Sequence, residues 1–393
     1  MPTTALDDRM REGVARVGGA DVLVGIPSYN NAGTIGHVAA TVAEGLRRRF
    51  PGVRAVIVSS DGGSADGSSD IVARSTGDIP TITGAYRGIP GKGSAFRAIF
   101  EIAAALRPTA CAVVDSDLRS ITPEWIARLA GPIADGAVDY VTPLYARHKY
   151  DGTITNSIAY PLTRALYGLR LRQPIGGDFG FSGTLAQAFL DQDVWETEVA
   201  RFGIDIYMTT TALVRHARIA QAFLGAKIHD PKDPGADLAP MFSQVVGTAF
   251  RLAAANRPIW SAVTGSQPTA VIGDITPVEP EAVNASVDIL QRKFAAGRTE
   301  FAGRWAEILS APLPDRIEDE AWARIVYDFL IAAARRPDRV AEDVRALVPL
   351  YFARVAAFID AAKDLDTAGA DALVERQAEA FEATKSHLTE RWP

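Results

Sequence analysis

Three apolar runs in this chain each stop at a polar tip: DVLVGIPSYN from Asp21, VRAVIVSSDGG from Val53 and ACAVVDSDL from Ala110. Short, unbroken apolar runs of this kind read as strands buried on both faces, and longer stretches with apolar residues three and four apart read as helices. Here the two patterns alternate. The first run is followed by helical text from Ala32 to Phe50, with Arg47, Arg48 and Arg49 in the last turn where cations suit the helix dipole. The second is followed by a helix from Ser69, a strand-like piece around Pro80 to Thr83, and helical periodicity from Ser94. Alternation of this sort requires a largely parallel sheet covered by helices, so the fold class is α/β.

Residues 137–145 read as a further strand, 153–169 as a helix or long connection, and RQPIGGDFGFSG as a loop. Near Val271 glycine thins out, and 281–310, 318–335, 338–362 and 370–390 become rich in Ala, Glu and Arg with helical spacing. Asp315 and Pro337 are expected boundaries, since Pro337 interrupts a continuing helix. The expected organisation is an N-terminal segment over 1–20, an α/β domain over 21–270 and an all-helical C-terminal domain over 271–393.

Composition narrows the partners. With 48% hydrophobic and 22% charged residues over 393 positions, disordered and collagen-like classes are excluded. The 47 acidic and 41 basic residues give a formal charge of -6, so no global basic field draws the chain to nucleic acid or anionic lipid. Anionic ligands must be met by local groups. The single Cys111 forms neither an internal disulfide nor a thiolate metal site, and a reducing compartment fits. The first twenty residues hold no signal-peptide apolar core, and no stretch of about eighteen uncharged apolar residues occurs. A cytoplasmic protein with no membrane contact is expected.

Ligands of parallel sheets bind outside the carboxyl ends of strands, so Pro27 to Asn31, Asp61 and Asp115 to Asp117 are expected at one rim. Asp115-Ser116-Asp117 supplies closely spaced carboxylates, the hard oxygen donors that suit Mg²⁺ or Mn²⁺ held against a diphosphate. Taken alone, the D-x-D spacing is also that of two solvated loop aspartates. Lys92, between Gly91 and Gly93, can approach a phosphate as a point charge, or stand as a turn lysine before a helix. It is not a Walker A lysine, because no G-x-x-x-x-G-K-[ST] string precedes it. Asp205, flanked by apolar residues in FGIDIY, is a buried functional carboxylate or a helix cap. Asp178 follows Gly176 and Gly177, whose N–H groups can meet a carboxylate. Arg147, His148 and Lys149 form a basic loop or a solvated cluster. Trp125, Tyr145, Tyr167 and Trp195 are assigned to core packing.

The series PSYNN, SSDGGSADGS and DSD resembles the GT-A nucleotide-sugar glycosyltransferases, in which successive strands end in P-x-Y-N, in D-D/G-G-S-x-D-G and in D-x-D. GIPGKGSAF (88–96), DSD, QPIGGDFGFSG (173–183), GIDIYMTT (203–210) and KIHD (227–230) resemble, more narrowly, the retaining enzymes that make glucosyl- or mannosylglycerate and glucosyl-3-phosphoglycerate. The order holds over roughly 21–235, and DEAWARIVYDFL (319–330) is similar to the helical C-terminal region of mannosylglycerate synthase. Departures are Asn31 in place of an acidic residue, Gly176-Gly177-Asp178 in place of G-G-E or G-E, and Phe179-Gly180-Phe181-Ser182 in place of a basic pair.

The resemblance implies a Rossmann-like mixed sheet of GT-A type with a helical C-terminal extension. It implies donor binding by Pro27, Ser28, Tyr29, Asn31, Asp61, Lys92, Asp115 and Ser116, and acceptor binding by Arg147, Thr153, Gly176 and Gly177. Asp117, Asp205 and Asp178 are the catalytic residues it implies, and Asp117, His229 and Asp115 the ligands of Mg²⁺ or Mn²⁺. The reaction implied is transfer of glucose or mannose from a UDP- or GDP-linked sugar to a small anion such as D-glycerate or 3-phosphoglycerate, with an α-glycoside as product and a homodimer as the assembly. Other readings are an inverting GT-A transferase of glycan synthesis, with Asp205 or Asp178 as base, a sugar nucleotidyltransferase, and a non-catalytic binding protein. The absence of a glycine-rich N-terminal nucleotide signature argues against the nucleotidyltransferase.

Overall fold

The computed structural model describes residues 4–229, 238–276 and 278–393. Its strands in chain order are β1 (Val22–Ser28), β2 (Ala55–Asp61), β3 (Thr81–Ala85), β4 (Ala110–Val113), β5 (Tyr140–Ala146), β6 (Leu169–Arg170), β7 (Phe179–Ser182), β8 (Ile219–Ala226), β9 (Gln267–Pro268) and β10 (Val271–Ile272). The chain divides into two compact units. Met1–Ala146, Ile175–Pro231 and Thr269–Pro280 form the first, and Arg147–Pro174, Lys232–Pro268 and Glu281–Pro393 the second.

The first unit is built on one mixed eight-stranded sheet in the order β10-β8-β5-β7-β4-β1-β2-β3. Every residue of β1 and β2 is buried, as their unbroken apolar text requires of strands covered on both faces. At the edge, β3 alternates between buried and more open positions. Val24, Ile26, Ile57 and Ala112 join Val38 and Val42 of the helix Ile35–Arg49, and Ile126 and Leu129 of the helix Pro123–Ala134, in one apolar core. Burial of each larger aliphatic side chain contributes about 1.5–3 kcal/mol. Arg47, Arg48 and Arg49 do close their helix, and Arg49 pairs with Asp135 at 2.6 Å.

One strand sets the geometry of the rim. β7 runs antiparallel to both neighbours, with Phe179 opposite Val113 and Ser182 opposite Ala110. Its amino end therefore lies beside the carboxyl end of β4, and Gly176, Gly177 and Asp178 arrive where β4 releases Asp115.

The helix after β3 begins earlier than its periodicity predicts, at Lys92 rather than Ser94. The glycines permit a close crossing there: the Gly93 amide donates to the Arg201 carbonyl at 3.0 Å, and a Cβ on Gly93 would lie 1.8 Å from the Val199 carbonyl oxygen. GKG is thus the start of a helix pressed against backbone, with Lys92 its first residue.

The second unit is mainly helical. Tyr160–Tyr167, Leu238–Ala255, Val287–Ile308, Asp319–Arg335, Val340–Ala362, Thr367–Ala383 and Lys385–Arg391 are its principal helices, and β6 pairs with β9 in a short ladder. Pro337 opens a single 3₁₀ turn, Pro337–Arg339, between two of them. Asp366 caps the Thr367–Ala383 helix by accepting from the Gly369 amide at 2.8 Å. Buried Arg164 pairs with Glu375 at 2.7 Å and Glu382 at 3.0 Å. Among the described residues, no helix is long and apolar enough to cross a membrane.

Candidate active site

The loops after β1, β2 and β4 are tied into one structure within the first unit. Ser28 Oγ donates to Asp61 Oδ2 at 2.9 Å, and Asp61 also accepts from the Gly63 amide, the Ser64 amide and Ser64 Oγ at 2.8, 2.6 and 2.7 Å. With four donors of its own protein, buried Asp61 shapes the loop behind it. The Asn31 amide donates to Ser68 Oγ at 3.0 Å, and Asn31 Oδ1 accepts from Ser116 Oγ at 2.8 Å and from the Tyr29 amide at 3.1 Å. Asn31 thereby joins the PSYNN loop to the DSD turn. Pro27 is buried within β1, whereas Tyr29 is 64% exposed at the strand's end.

Behind the DSD turn lies an ionic cluster. Lys92 Nζ is 2.8 Å from Asp115 Oδ1 and 3.5 Å from Asp205 Oδ1. Lys227 Nζ reaches Asp115 Oδ2 and Asp178 Oδ2, both at 2.8 Å, and the Gly176 carbonyl oxygen at 2.7 Å. Asp178 is fully buried, accepts from the Asp115 amide at 2.8 Å and accepts a hydrogen bond from the Tyr145 hydroxyl. Asp205 stands in the first turn of the helix Ile204–Val214, and its Oδ2 accepts from the Gly176 and Gly177 amides at 3.2 and 2.9 Å. These two amides, which the sequence offers to an acceptor, are engaged by this chain's own carboxylate. Asp205 Oδ1 is buried and, among the described residues, accepts no hydrogen bond, with the Lys92 ammonium its ionic neighbour at 3.5 Å.

Burial and charge compete in this cluster. Burial pushes the Asp115 carboxyl up, but Lys227 and Lys92 outweigh it and hold the group well below the usual carboxylate range. Burial works against the Lys92 ammonium as well, yet Asp115 and Asp205 raise it above the ordinary lysine value. For Asp178, burial prevails over Lys227, and the nearby Asp115 charge adds to the upward shift. Two ammonium groups thus face three carboxylates in a confined space.

Each oxygen of Asp115, the third ligand that the resemblance implies, is paired with a lysine in this structure, Oδ1 with Lys92 and Oδ2 with Lys227. Asp117 and His229 are half-buried on two loops joined at their backbones. The Arg119 amide donates to the Ile228 carbonyl at 2.8 Å, Arg119 Nη2 donates to the His229 carbonyl at 3.3 Å, and the Ile228 amide donates to Ser120 Oγ at 2.9 Å. Among the described residues, no three His, Cys, Asp or Glu side chains converge on one point. One carboxylate, with an imidazole on the adjoining loop, leaves most positions of an ion to phosphate oxygens and water, as Mg²⁺ is held beside a diphosphate by few protein ligands.

Arg147 and Thr153 belong to the second unit. There Arg147 pairs with Asp151 at 2.9 Å, and Thr153 Oγ1 shares a 2.6 Å hydrogen bond with the Tyr351 hydroxyl. Two groups of the cluster were given no role by sequence. Lys227 lies immediately after β8, and a cation at a strand's carboxyl end is the available signal. Tyr145 packs on Trp125 at 5.5 Å between ring centroids, as assigned, but its hydroxyl serves Asp178.

Residues 23–193 match the family described as Glycosyl transferase family 2. No curated protein matches the chain. Among solved structures, glucosyl-3-phosphoglycerate synthase from Mycobacterium tuberculosis in complex with Mn²⁺, UDP and glucosyl-3-phosphoglycerate is 24% identical, with 62% of this chain and 83% of that chain covered and a TM-score of 0.47. The complex of that enzyme with Mn²⁺, UDP-glucose and phosphoglyceric acid gives the same 24%, 62%, 83% and 0.47. Its complex with Mg²⁺ and UDP gives 23%, 63%, 85% and 0.47.

Proposed function

We propose, for a chain that belongs through residues 23–193 to glycosyltransferase family 2 and is a nucleotide-sugar-dependent transferase, a specific reaction. It moves glucose or mannose from a UDP- or GDP-linked sugar to a small anionic acceptor such as D-glycerate or 3-phosphoglycerate, with retention and an α-linked product. The observation that carries this reading is the DSD turn, held between the PSYNN loop on one side and Lys92 and Lys227 on the other.

A nucleoside diphosphate leaves readily only when its growing negative charge is met. Asp117 and His229 would hold Mg²⁺ or Mn²⁺, which supplies that countercharge when bound. Lys92, first residue of its helix, adds a fixed cation behind the turn, paired with Asp115. Asp115, clamped by two lysines, keeps the turn in place and presents Ser116 to Asn31. Asp205 Oδ1 has the Lys92 ammonium 3.5 Å away and, among the described residues, no hydrogen bond, so it can accept one from a hydroxyl of the transferred sugar. Asp178 is a positioning residue beneath Asp115, because three groups of the protein already occupy it. Arg147 and Thr153 remain the groups for the acceptor's carboxylate or phosphate, on the resemblance of their loop alone.

Incubation with UDP-glucose or GDP-mannose, Mg²⁺ and either D-glycerate or 3-phosphoglycerate, followed by proton NMR of the product, tests the proposal. The small anomeric coupling of an α-glycoside is expected. A β-glycoside from the α-linked donor contradicts retention and favours the inverting reading, with Asp205 as the base.

A further inference from the structure

The helical unit holds an open cavity of about 710 Å³, lined by none of the residues assigned to the transfer reaction. Its apolar floor comes from Phe358 and Ala361 on the helix Val340–Ala362 and from Leu373 on the helix Thr367–Ala383. Its polar wall is built on Asp319, the first residue of the helix Asp319–Arg335. Asp319 Oδ1 accepts from Arg354 Nη2, and Asp319 Oδ2 accepts from Arg376 Nε at 2.8 Å. One carboxylate thus serves two guanidinium groups.

Arg354 is almost wholly buried and rigidly held, donating also to Gln377 Oε1 at 2.6 Å and to the Ile317 carbonyl at 3.2 Å. Among the described residues Arg376 is pinned only through Nε, and its side chain is 61% exposed. Arg316 and Arg324 line the same cavity, opposed by Glu318 and Glu320. Four arginines against three acids leave one positive charge in excess. Burial and the neighbouring Arg376 press the Arg354 guanidinium below the usual arginine value, against the pull of Asp319. A guanidinium held in fork geometry suits a carboxylate or phosphate oxygen pair. A concave site of this volume with an apolar floor and a few fixed polar groups is the common form of a small-molecule pocket.

We propose that this cavity binds an organic monoanion with an apolar body, the anionic head resting on Arg376 and Arg354 and the body lying along Phe358 and Leu373. None of the residues lining this site is assigned to the transferase chemistry proposed above.

Octanoate serves as the probe and octanamide as its neutral counterpart, with binding read by isothermal titration calorimetry on the full chain. Saturable octanoate binding is expected, with octanamide at least tenfold weaker. Arg376→Ala should raise the octanoate dissociation constant at least tenfold. Leu373→Ala, which leaves every charge in place, should weaken octanoate while leaving its preference over octanamide. Asp117→Ala should bind octanoate as the unaltered chain does. Absence of saturable octanoate binding at millimolar concentration, equal binding of octanamide, wild-type affinity in Arg376→Ala, or loss of binding in Asp117→Ala each overturns the proposal.

Discussion

The Lys227 ammonium lies within 2.8 Å of two carboxylates and a carbonyl oxygen, and it is the ammonium that touches fully buried Asp178. Removing one partner of a buried ion pair leaves the other without compensation, at a cost of about 3–5 kcal/mol. Lys227→Met is therefore expected to lower unfolding stability by about that much, measured by urea denaturation, and Asp178→Asn in the same background to recover part of it. A loss below about 1 kcal/mol would show that Lys227 is held loosely, as in an exposed pair. At this scale the sequence was legible wherever a residue's setting was local. Asp115, Asp117 and Lys92 stand out by their neighbours. Lys227 stood in plain view within KIHD, but its meaning depends on Asp178, 49 positions away. Asp205 shows the same limit: in the first turn of its helix it resembles a cap, yet its oxygen serves two amides of a distant loop.

Strands β1, β2 and β4 could be placed because each is an apolar run closed by its own polar tip. The direction of β7 could not. FGFS is four residues long and set among glycines, so the whole of RQPIGGDFGFSG read as a loop, and neither the strand nor its direction was seen. Antiparallel pairing with β4 turns that loop into the back wall of the DSD turn, and it demands a glycine at 177. Gly177 has φ +90°, and a Cβ there would lie 2.1 Å from Asp115 Oδ2. Gly177→Ala is expected to destabilise the fold by about 1–3 kcal/mol, through a left-handed backbone and displacement of the Asp115 carboxylate. Donor affinity should fall with it. Thermal unfolding and nucleotide titration read the two effects, and an alanine variant as stable and as avid as the parent would show that the wall tolerates a shift of Asp115.

Across the whole molecule, the tips of three strands, a lysine at a helix start and a lysine after β8 all belong to one α/β unit, whose sheet makes their meeting unavoidable. The meeting of the three strand tips follows from parallel topology and was legible in the alternation of patterns, whereas the place of Lys227 was not. The C-terminal helices were legible in their periodicity, but not the inclusion of Arg147–Pro174 and Lys232–Pro268 in the same unit, nor its cavity, since Asp319, Arg354 and Arg376 come from three helices. The account rests on the DSD turn as the place where a nucleotide and a divalent ion bind together. Thermal unfolding with UDP or GDP, each with and without Mn²⁺, tests this most directly, because a ligand of the native state at a hundred times its dissociation constant adds about 2.7 kcal/mol. One nucleotide is predicted to raise the transition only when Mn²⁺ is present, and Asp117→Ala to abolish that rise. An Asp117→Ala chain stabilised as strongly as the parent, or a parent stabilised by neither nucleotide with Mn²⁺, would contradict it.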